Sequence, residues 1–118
     1  MAKNTVWETA IVGGGPAGLT AGLQLARAGY RVILAERGAL GGQARWLGRI
    51  ENYPGFPRGV DGGVLMSRWV RQARDWGLRT VHARVRGVRR VQGGYSLRLS
   101  PGGALRSRAV VYCPGAGC

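Results

Sequence analysis

The chain has 118 residues, 45% of them hydrophobic, which suits one small domain with its own core. Eighteen Lys and Arg against five Asp and Glu give a net charge of +13, but the basic residues are scattered and no aromatic-interleaved basic block accompanies them. The composition therefore does not favour nucleic-acid binding. No apolar run is long enough to span a membrane and no secretory leader precedes the first strand, so a cytoplasmic protein is expected.

The first predicted elements are a buried strand over residues 6–12, a glycine turn and a helix with its apolar residues on one face. The turn reads Gly13-x-Gly15-x-x-Gly18. A second apolar strand over residues 32–35 then ends in Glu36. Strand, glycine turn, helix, strand and acidic residue together form the fingerprint of a dinucleotide-binding βαβ unit.

Each residue of this fingerprint has a physical role. Gly13 permits the tight turn, Gly15 lets the backbone approach a pyrophosphate, and Gly18 allows close packing of helix on strand. The unpaired N–H groups and the dipole of the helix N-terminus favour an anion, and Pro16 suits the first helical turn. Glu36 lies 18 residues after Gly18, close to the spacing of a ribose-binding acid. The alternative is that the glycines serve only helix–sheet packing.

Residues 37–63 form a long, glycine-rich and irregular stretch, and such loops inside compact domains are usually functional. Two clusters stand out, Gly-Gly-Gln at 41–43 and Glu-Asn-Tyr-Pro-Gly-Phe at 51–56. The amides of Gln43 and Asn52 both donate and accept hydrogen bonds, which suits the mixed edge of a heterocycle. Turn formation alone explains the spacing equally well.

An amphipathic helix is predicted over residues 64–76, with Leu65, Trp69, Ala73 and Trp76 on one buried face. Three further features follow it in the chain: a third short strand, two glycine-containing hairpins and a final apolar strand. The strands are predicted over residues 79–83, 85–91, 95–100 and 105–111. The last is apolar at its end, as a returning central strand would be.

The cysteines and the single histidine do not indicate a disulfide scaffold or a metal site. Cys113 and Cys118 straddle the end of the last strand, and His82 ends the third one. Cys113 is expected to be a small buried residue rather than half of a redox pair. No cluster of ligands has metal spacing, so no metal is predicted.

Taken together, these residues resemble the N-terminal part of the FAD domain of thioredoxin reductase-like flavoproteins. The resemblance rests on Ile-Val-Gly-Gly-Gly-Pro-Ala-Gly-Leu at 11–19, on Gly-Gly-Gln at 41–43, on Glu-Asn-Tyr-Pro-Gly at 51–55 and on the strand that leads to Gly115. It covers nearly all 118 residues. It implies an α/β, Rossmann-like FAD-binding domain over residues 1–118, with a parallel sheet and a β-meander crossover, present only in its N-terminal part.

The resemblance also implies roles for individual residues. The FAD pyrophosphate would lie on Gly13, Gly15, Pro16, Ala17 and Gly18, and the adenosine half beside Glu36, Arg37 and the backbone at Ala83. Gly42, Gln43 and Asn52 would approach the flavin end. Gly115 would stand at the family's Ala-Thr-Gly position, where Pro114 replaces the threonine and removes its hydroxyl and N–H.

No catalytic residue is predicted, because the complete enzymes add an NADPH domain, a Cys-x-x-Cys pair and a returning Gly-Asp segment, none of which this sequence contains. The expected partners are FAD and a missing or separate NADPH-binding part, and an exposed sheet edge would favour homo-oligomers. Three functions remain open. They are a segment of a disulfide-reducing flavoprotein, the same fold without disulfide chemistry, as in ferredoxin–NADP reductases, and a non-catalytic nucleotide-binding module.

Overall fold

A computed structural model describes residues 5–115 of the chain. Within them, short strands alternate with two helices before the chain ends in a run of strands. The elements are β1 (Val6–Val12), α1 (Pro16–Arg27), β2 (Val32–Glu36), a 3-10 turn (Gly42–Trp46), β3 (Arg49–Ile50), β4 (Val60–Asp61), α2 (Gly62–Asp75), β5 (Arg79–His82), β6 (Arg84–Val91), β7 (Gly94–Ser100) and β8 (Ala104–Tyr112).

The main sheet has six strands in the order β5-β2-β1-β8-β7-β6. The pairs β5–β2, β2–β1 and β1–β8 are parallel, whereas β8–β7 and β7–β6 are antiparallel. The chain thus crosses from the parallel part to the far side of β1 through a three-stranded meander. The predicted fold class, an α/β Rossmann-like domain with a meander crossover, is confirmed.

Two hydrophobic cores lie on the two faces of the parallel strands. Alternate residues of β2 divide between them, as the period of a strand requires. Leu34 packs with Ile11 and with the helix residues Leu19 and Ala73, while Ile33 packs with Leu97 of the meander. Both helices are therefore held on one face, which fixes the N-terminus of α1 above the end of β1.

Residues 37–63 are more ordered than the predicted irregular stretch. They contain the 3-10 turn and a two-stranded antiparallel pair, in which Arg49 lies opposite Asp61 and Ile50 opposite Val60. Asp61 also caps α2, its side chain accepting the Val64 N–H at 3.1 Å. Because of this cap, α2 begins at Gly62, two residues before the predicted start.

The predicted burial of Trp76 is wrong. Trp76 follows the last residue of α2 and is 51% exposed, and its ring lies against the Arg27 guanidinium, 5.5 Å from the ring centroid. Leu65 and Ala73 are buried as predicted, together with Met66 and Val70. The buried stripe therefore stops one turn before Trp76, where α2 reaches the end of α1.

Among the described residues, none of the helices has the length and apolar character needed to cross a membrane.

Candidate functional site

The candidate site lies where the carboxyl ends of the four parallel strands meet. Val12 at the end of β1 lies opposite Ala35 of β2 and Tyr112 of β8, and Glu36 lies opposite His82. The segments that follow these four strands are therefore neighbours. In open α/β sheets, ligands bind in the crevice at this edge.

The turn at residues 13–18, which we call the phosphate turn, is fixed by close backbone packing. Gly13 has a φ of +106°, and a Cβ there would overlap the carbonyl oxygen of Cys113. A Cβ on Gly18 would in turn overlap the carbonyl oxygen of Gly13. Only glycine fits at either position, so both residues act as the fingerprint predicts, one for the turn and one for helix–strand packing.

Gly15 differs from both of these glycines because the space around it is open. A Cβ at Gly15 would meet only the Cα of Gly42, at 3.8 Å. Its φ of −80° and ψ of −169° are extended and accessible to any residue. The folded chain itself therefore does not demand a glycine at this position, whereas a ligand lying on the turn would.

Gly15 precedes α1 as its N-cap residue and provides no side-chain cap, and Pro16 is the first residue of the helix. No acidic residue lies in the first turn of the helix. Its first N–H groups lack partners within the helix, and the helix dipole adds partial positive charge. The arrangement of Gly15, Pro16, Ala17 and Gly18 thus fits a bound anion such as a phosphate.

A second glycine turn packs directly on the first, which the sequence did not predict. The Gly41 N–H donates to the Gly14 carbonyl oxygen at 2.7 Å. Gly42 lies so close that a Cβ on it would come within 2.9 Å of the Cα of Gly15. This contact places Gly42 at the phosphate turn and Gln43 next to it, exposed, within the 3-10 turn.

Glu36 connects the segments around these turns. Its Oε1 accepts the Gly14 N–H at 2.7 Å, and its Oε2 accepts the Gly38 N–H at 2.6 Å. The neighbouring carbonyl of Arg37 lies 2.8 Å from Nε2 of His82, which ties the end of β2 to the end of β5. The carboxylate of the predicted ribose acid is thus already engaged by backbone donors.

A cleft of about 160 Å³ opens at the same edge. Residues from the ends of β1, β2 and β8 line it, together with Ala83 after β5 and the first residues of β6. These residues are Val12, Gly13, Ala35, Glu36, Arg37, Ala83, Arg84, Val85, Tyr112 and Pro114. Ala83, whose backbone is expected beside the adenosine half, lines the cleft, but its N–H already donates to the Glu36 carbonyl oxygen at 3.1 Å. Its N–H is therefore not the group that would meet a ligand. Arg84 and Tyr112 also line the cleft, and no sequence motif marked either of them.

Asn52 is exposed and lies outside this cleft. Its neighbour Tyr53 holds the loop on α2, with ring-centroid distances of 6.0 Å to Trp69 and 5.9 Å to Phe56. Gly115 is also exposed and is not a lining residue, although Pro114 before it is. Direct contacts therefore join the segments around Gly14, Glu36 and Gly42, whereas neither Asn52 nor Gly115 lines the cleft.

Cys113 is partly rather than fully buried, and it supports the phosphate turn through its backbone. Its N–H donates to the Val12 carbonyl oxygen at 2.7 Å, and burial raises the pKa of its thiol. Cys118 lies outside the described residues. Within residues 5–115, no three His, Cys, Asp or Glu side chains are grouped so as to hold a metal ion.

Comparison with known proteins confirms the resemblance stated from the sequence. Residues 8–54 match the family model of FAD dependent oxidoreductases. The chain is 34% identical over 109 residues to the thioredoxin reductase of Helicobacter pylori strain J99, an alignment that covers 92% of this chain and 35% of the relative. It is 30% identical over 118 residues to the thioredoxin reductase of Bacillus subtilis strain 168, covering 98% of this chain and 36% of the relative.

The fold agrees equally well with solved structures. The thioredoxin reductase of Streptococcus pyogenes superposes with a TM-score of 0.86 at 28% identity, covering 92% of this chain and 35% of that one. The chain spans about a third of the length of the curated relatives that it matches.

Proposed function

We propose that this chain is the FAD-binding segment of an NAD(P)H-dependent flavoprotein oxidoreductase of the thioredoxin reductase type. The proposal is supported by the FAD dependent oxidoreductase match over residues 8–54 and by thioredoxin reductases as relatives. The observation that carries it is the open position of Gly15 at an uncapped helix N-terminus, beside the cleft that contains Glu36.

The residues present fit the diphosphate of FAD. The N–H groups of the first turn of α1 would bind the phosphate oxygens, and the absence of a Cβ on Gly15 leaves the space for them. The net charge of +13, with Arg37 and Arg84 lining the cleft, would attract the anionic cofactor.

The adenosine half would occupy the cleft beside Glu36, Arg37 and Ala83. On the other side of the phosphate turn, Gly42 leads to Gln43, so the flavin half would extend in that direction. Gln43 and Asn52 would supply amide hydrogen bonds to it, as the resemblance implies. The adenosine half and the flavin half would thus be bound by different parts of the chain, and each part can be tested separately.

When bound, FAD supplies the two-electron chemistry by which reductases of this type take a hydride from NADPH and reduce a disulfide. The part of this chain in that reaction is to bind and orient the cofactor. Its sequence contains one glycine fingerprint and no Cys-x-x-Cys pair, so the NADPH site and the redox cysteines would come from a further part of the protein or a partner. We further propose a cytoplasmic location and self-association of the isolated chain.

The decisive experiment measures FAD binding to the 118-residue chain and to Gly15→Val, by visible spectrum and by titration. We expect Gly15→Val to keep its circular dichroism spectrum and unfolding midpoint, because a Cβ at Gly15 would meet only the Cα of Gly42, at 3.8 Å. We expect its FAD affinity to fall by about a hundredfold or more, because the valine occupies the space of the phosphates.

Gly102→Val is the matched control, because Gly102 lies in the β7–β8 loop with no atom within 4 Å of its Cβ position. Equal FAD binding by the parent and Gly15→Val would refute the site. A second assay adds NADPH and a disulfide acceptor, and we expect no turnover from the chain alone. Sustained turnover would instead show a complete enzyme, and turnover with NADPH and oxygen or a dye but no disulfide would favour the ferredoxin–NADP reductase-like alternative.

A further inference from the structure

We infer that Glu36 is a positioning residue whose carboxylate holds the phosphate turn against residues 38–42 before any ligand binds. The hydrogen bonds of Glu36 are a property of the folded chain. Their consequence for nucleotide binding rests on the proposed function. The resemblance implies a different role, in which the carboxylate binds the ribose hydroxyls.

The hydrogen bonds of Glu36 carry the inference. Both of its oxygens accept backbone N–H groups, from Gly14 at 2.7 Å and from Gly38 at 2.6 Å. Bonds from N–H to an ionised carboxylate are short and roughly twice as strong as neutral ones. One side chain thus joins two segments that are 24 residues apart in sequence, Gly14 in the phosphate turn and Gly38 after β2.

The packing around Gly14 shows how tightly the two segments are held. A Cβ on Gly14 would lie 3.1 Å from the Cβ of Glu36 and 2.7 Å from Cδ2 of Leu40. The Gly14 carbonyl oxygen accepts the Gly41 N–H at 2.7 Å, so this residue is bonded on both sides. The two glycine turns therefore form one unit, with Glu36 as the only side chain that bonds to the phosphate turn from β2 in the described part of the chain.

The chemistry of this contact requires a carboxylate. A carboxylate accepts hydrogen bonds at both oxygens, whereas a glutamine has one accepting oxygen and one NH₂ donor. Glu36→Gln keeps the shape of the side chain but sets a donor against one of the two N–H groups. The turn should loosen, and the N–H groups of α1 that bind phosphate would no longer be preorganised.

Two probes separate positioning from ribose binding: ADP, and 2′,3′-dideoxy-ADP, which lacks the ribose hydroxyls. If Glu36 positions the turn, the parent binds both probes with affinities within about threefold. Glu36→Gln should then weaken both by about tenfold, the effect of one charged hydrogen bond. If Glu36 acts only on the ribose, the parent should bind the dideoxy probe about tenfold more weakly, and Glu36→Gln should weaken ADP alone. That second pattern would overturn the inference.

Amide hydrogen exchange provides a readout that needs no ligand. We expect the Gly14 and Gly38 amides to be protected in the parent and to exchange at least about tenfold faster in Glu36→Gln. Free exchange of both amides in the parent would also overturn the inference. Protected amides in a parent that binds neither ADP nor FAD would refute the proposed function and leave the contact in place.

Glu8→Gln is the matched control. Glu8 lies near the start of β1, and its Oε1 also accepts a backbone N–H, from Arg31 at 2.9 Å. The same substitution there should leave the Gly14 and Gly38 amides and both nucleotide affinities unchanged.

Discussion

The two segments that the sequence singles out most strongly, residues 13–18 and residues 51–55, are built in opposite ways. The first packs against the backbone of Ala35, Cys113 and the second glycine turn, and Gly13 and Gly18 have no room for a side chain. The second is an exposed loop held to α2 by the ring of Tyr53, with Asn52 facing solvent. The first segment is therefore formed by the fold itself, whereas the proposed role of the second depends on what binds beside it.

Within the phosphate turn, we expect substitution of Gly13 to affect stability and substitution of Gly15 to affect ligand binding. Gly13→Ala places a methyl group against the carbonyl of Cys113 and forces a φ of +106° on a residue with a Cβ. We expect a loss of about 3 kcal/mol in the free energy of unfolding, because neither strand β1 nor β8 can move away without breaking the sheet. Urea denaturation measures it, with FAD affinity recorded under conditions where the variant is folded.

The comparison with Gly15→Val makes this result informative. Gly13→Ala should lower stability first and binding as a consequence, whereas Gly15→Val should lower binding alone. Gly102→Ala serves as the control for a glycine with open surroundings. An unfolding midpoint for Gly13→Ala equal to that of the control would contradict the packing described for the turn.

Much of this architecture could be predicted from the sequence because its signals are local. The period-two and period-3.6 patterns gave β1 and α1, and glycine pairs marked the hairpins of the meander. The contact of Gly41 with Gly14 and the hydrogen bond from the Gly14 N–H to Glu36 could not be predicted, because they join residues more than 20 positions apart through backbone groups. Trp76 was misplaced because a helical pattern does not show where the neighbouring helix ends.

The exposed loop gives a prediction of intermediate size. Asn52→Ala should leave the free energy of unfolding within about 0.5 kcal/mol of the parent, because Asn52 is exposed. If Asn52 serves the flavin half, FAD affinity should fall by about three- to tenfold, the effect of one neutral hydrogen bond, while ADP affinity stays unchanged. Paired titrations with FAD and ADP measure the difference.

Gln92→Ala is the control for this loop, since Gln92 is an exposed amide in the β6–β7 turn, far along the chain from either glycine turn. Equal FAD affinity for Asn52→Ala and the control would remove Asn52 from the site. A parallel loss of ADP affinity would show instead that the loop acts through the phosphate turn, and the two segments would then be coupled rather than independent.

The smallest effect concerns Cys113, whose backbone supports the phosphate turn while its side chain has no assigned role. Burial raises the pKa of its thiol, so the thiol form persists at pH values where an exposed cysteine is partly ionised. In a Cys118→Ser background, where Cys113 is the only cysteine, the rate of alkylation by iodoacetamide should rise with pH. Its midpoint should lie above the value of about 8.5 for a free cysteine, because the thiolate is the reacting species.

Urea-unfolded chain supplies the reference midpoint in the same assay. A folded-state midpoint below that reference would mean that a positive group stabilises the thiolate, and the side chain of Cys113 would then need a role beyond packing. Cys113→Ser should leave FAD affinity unchanged, because the N–H bond to Val12 and the carbonyl beneath Gly13 both belong to the backbone.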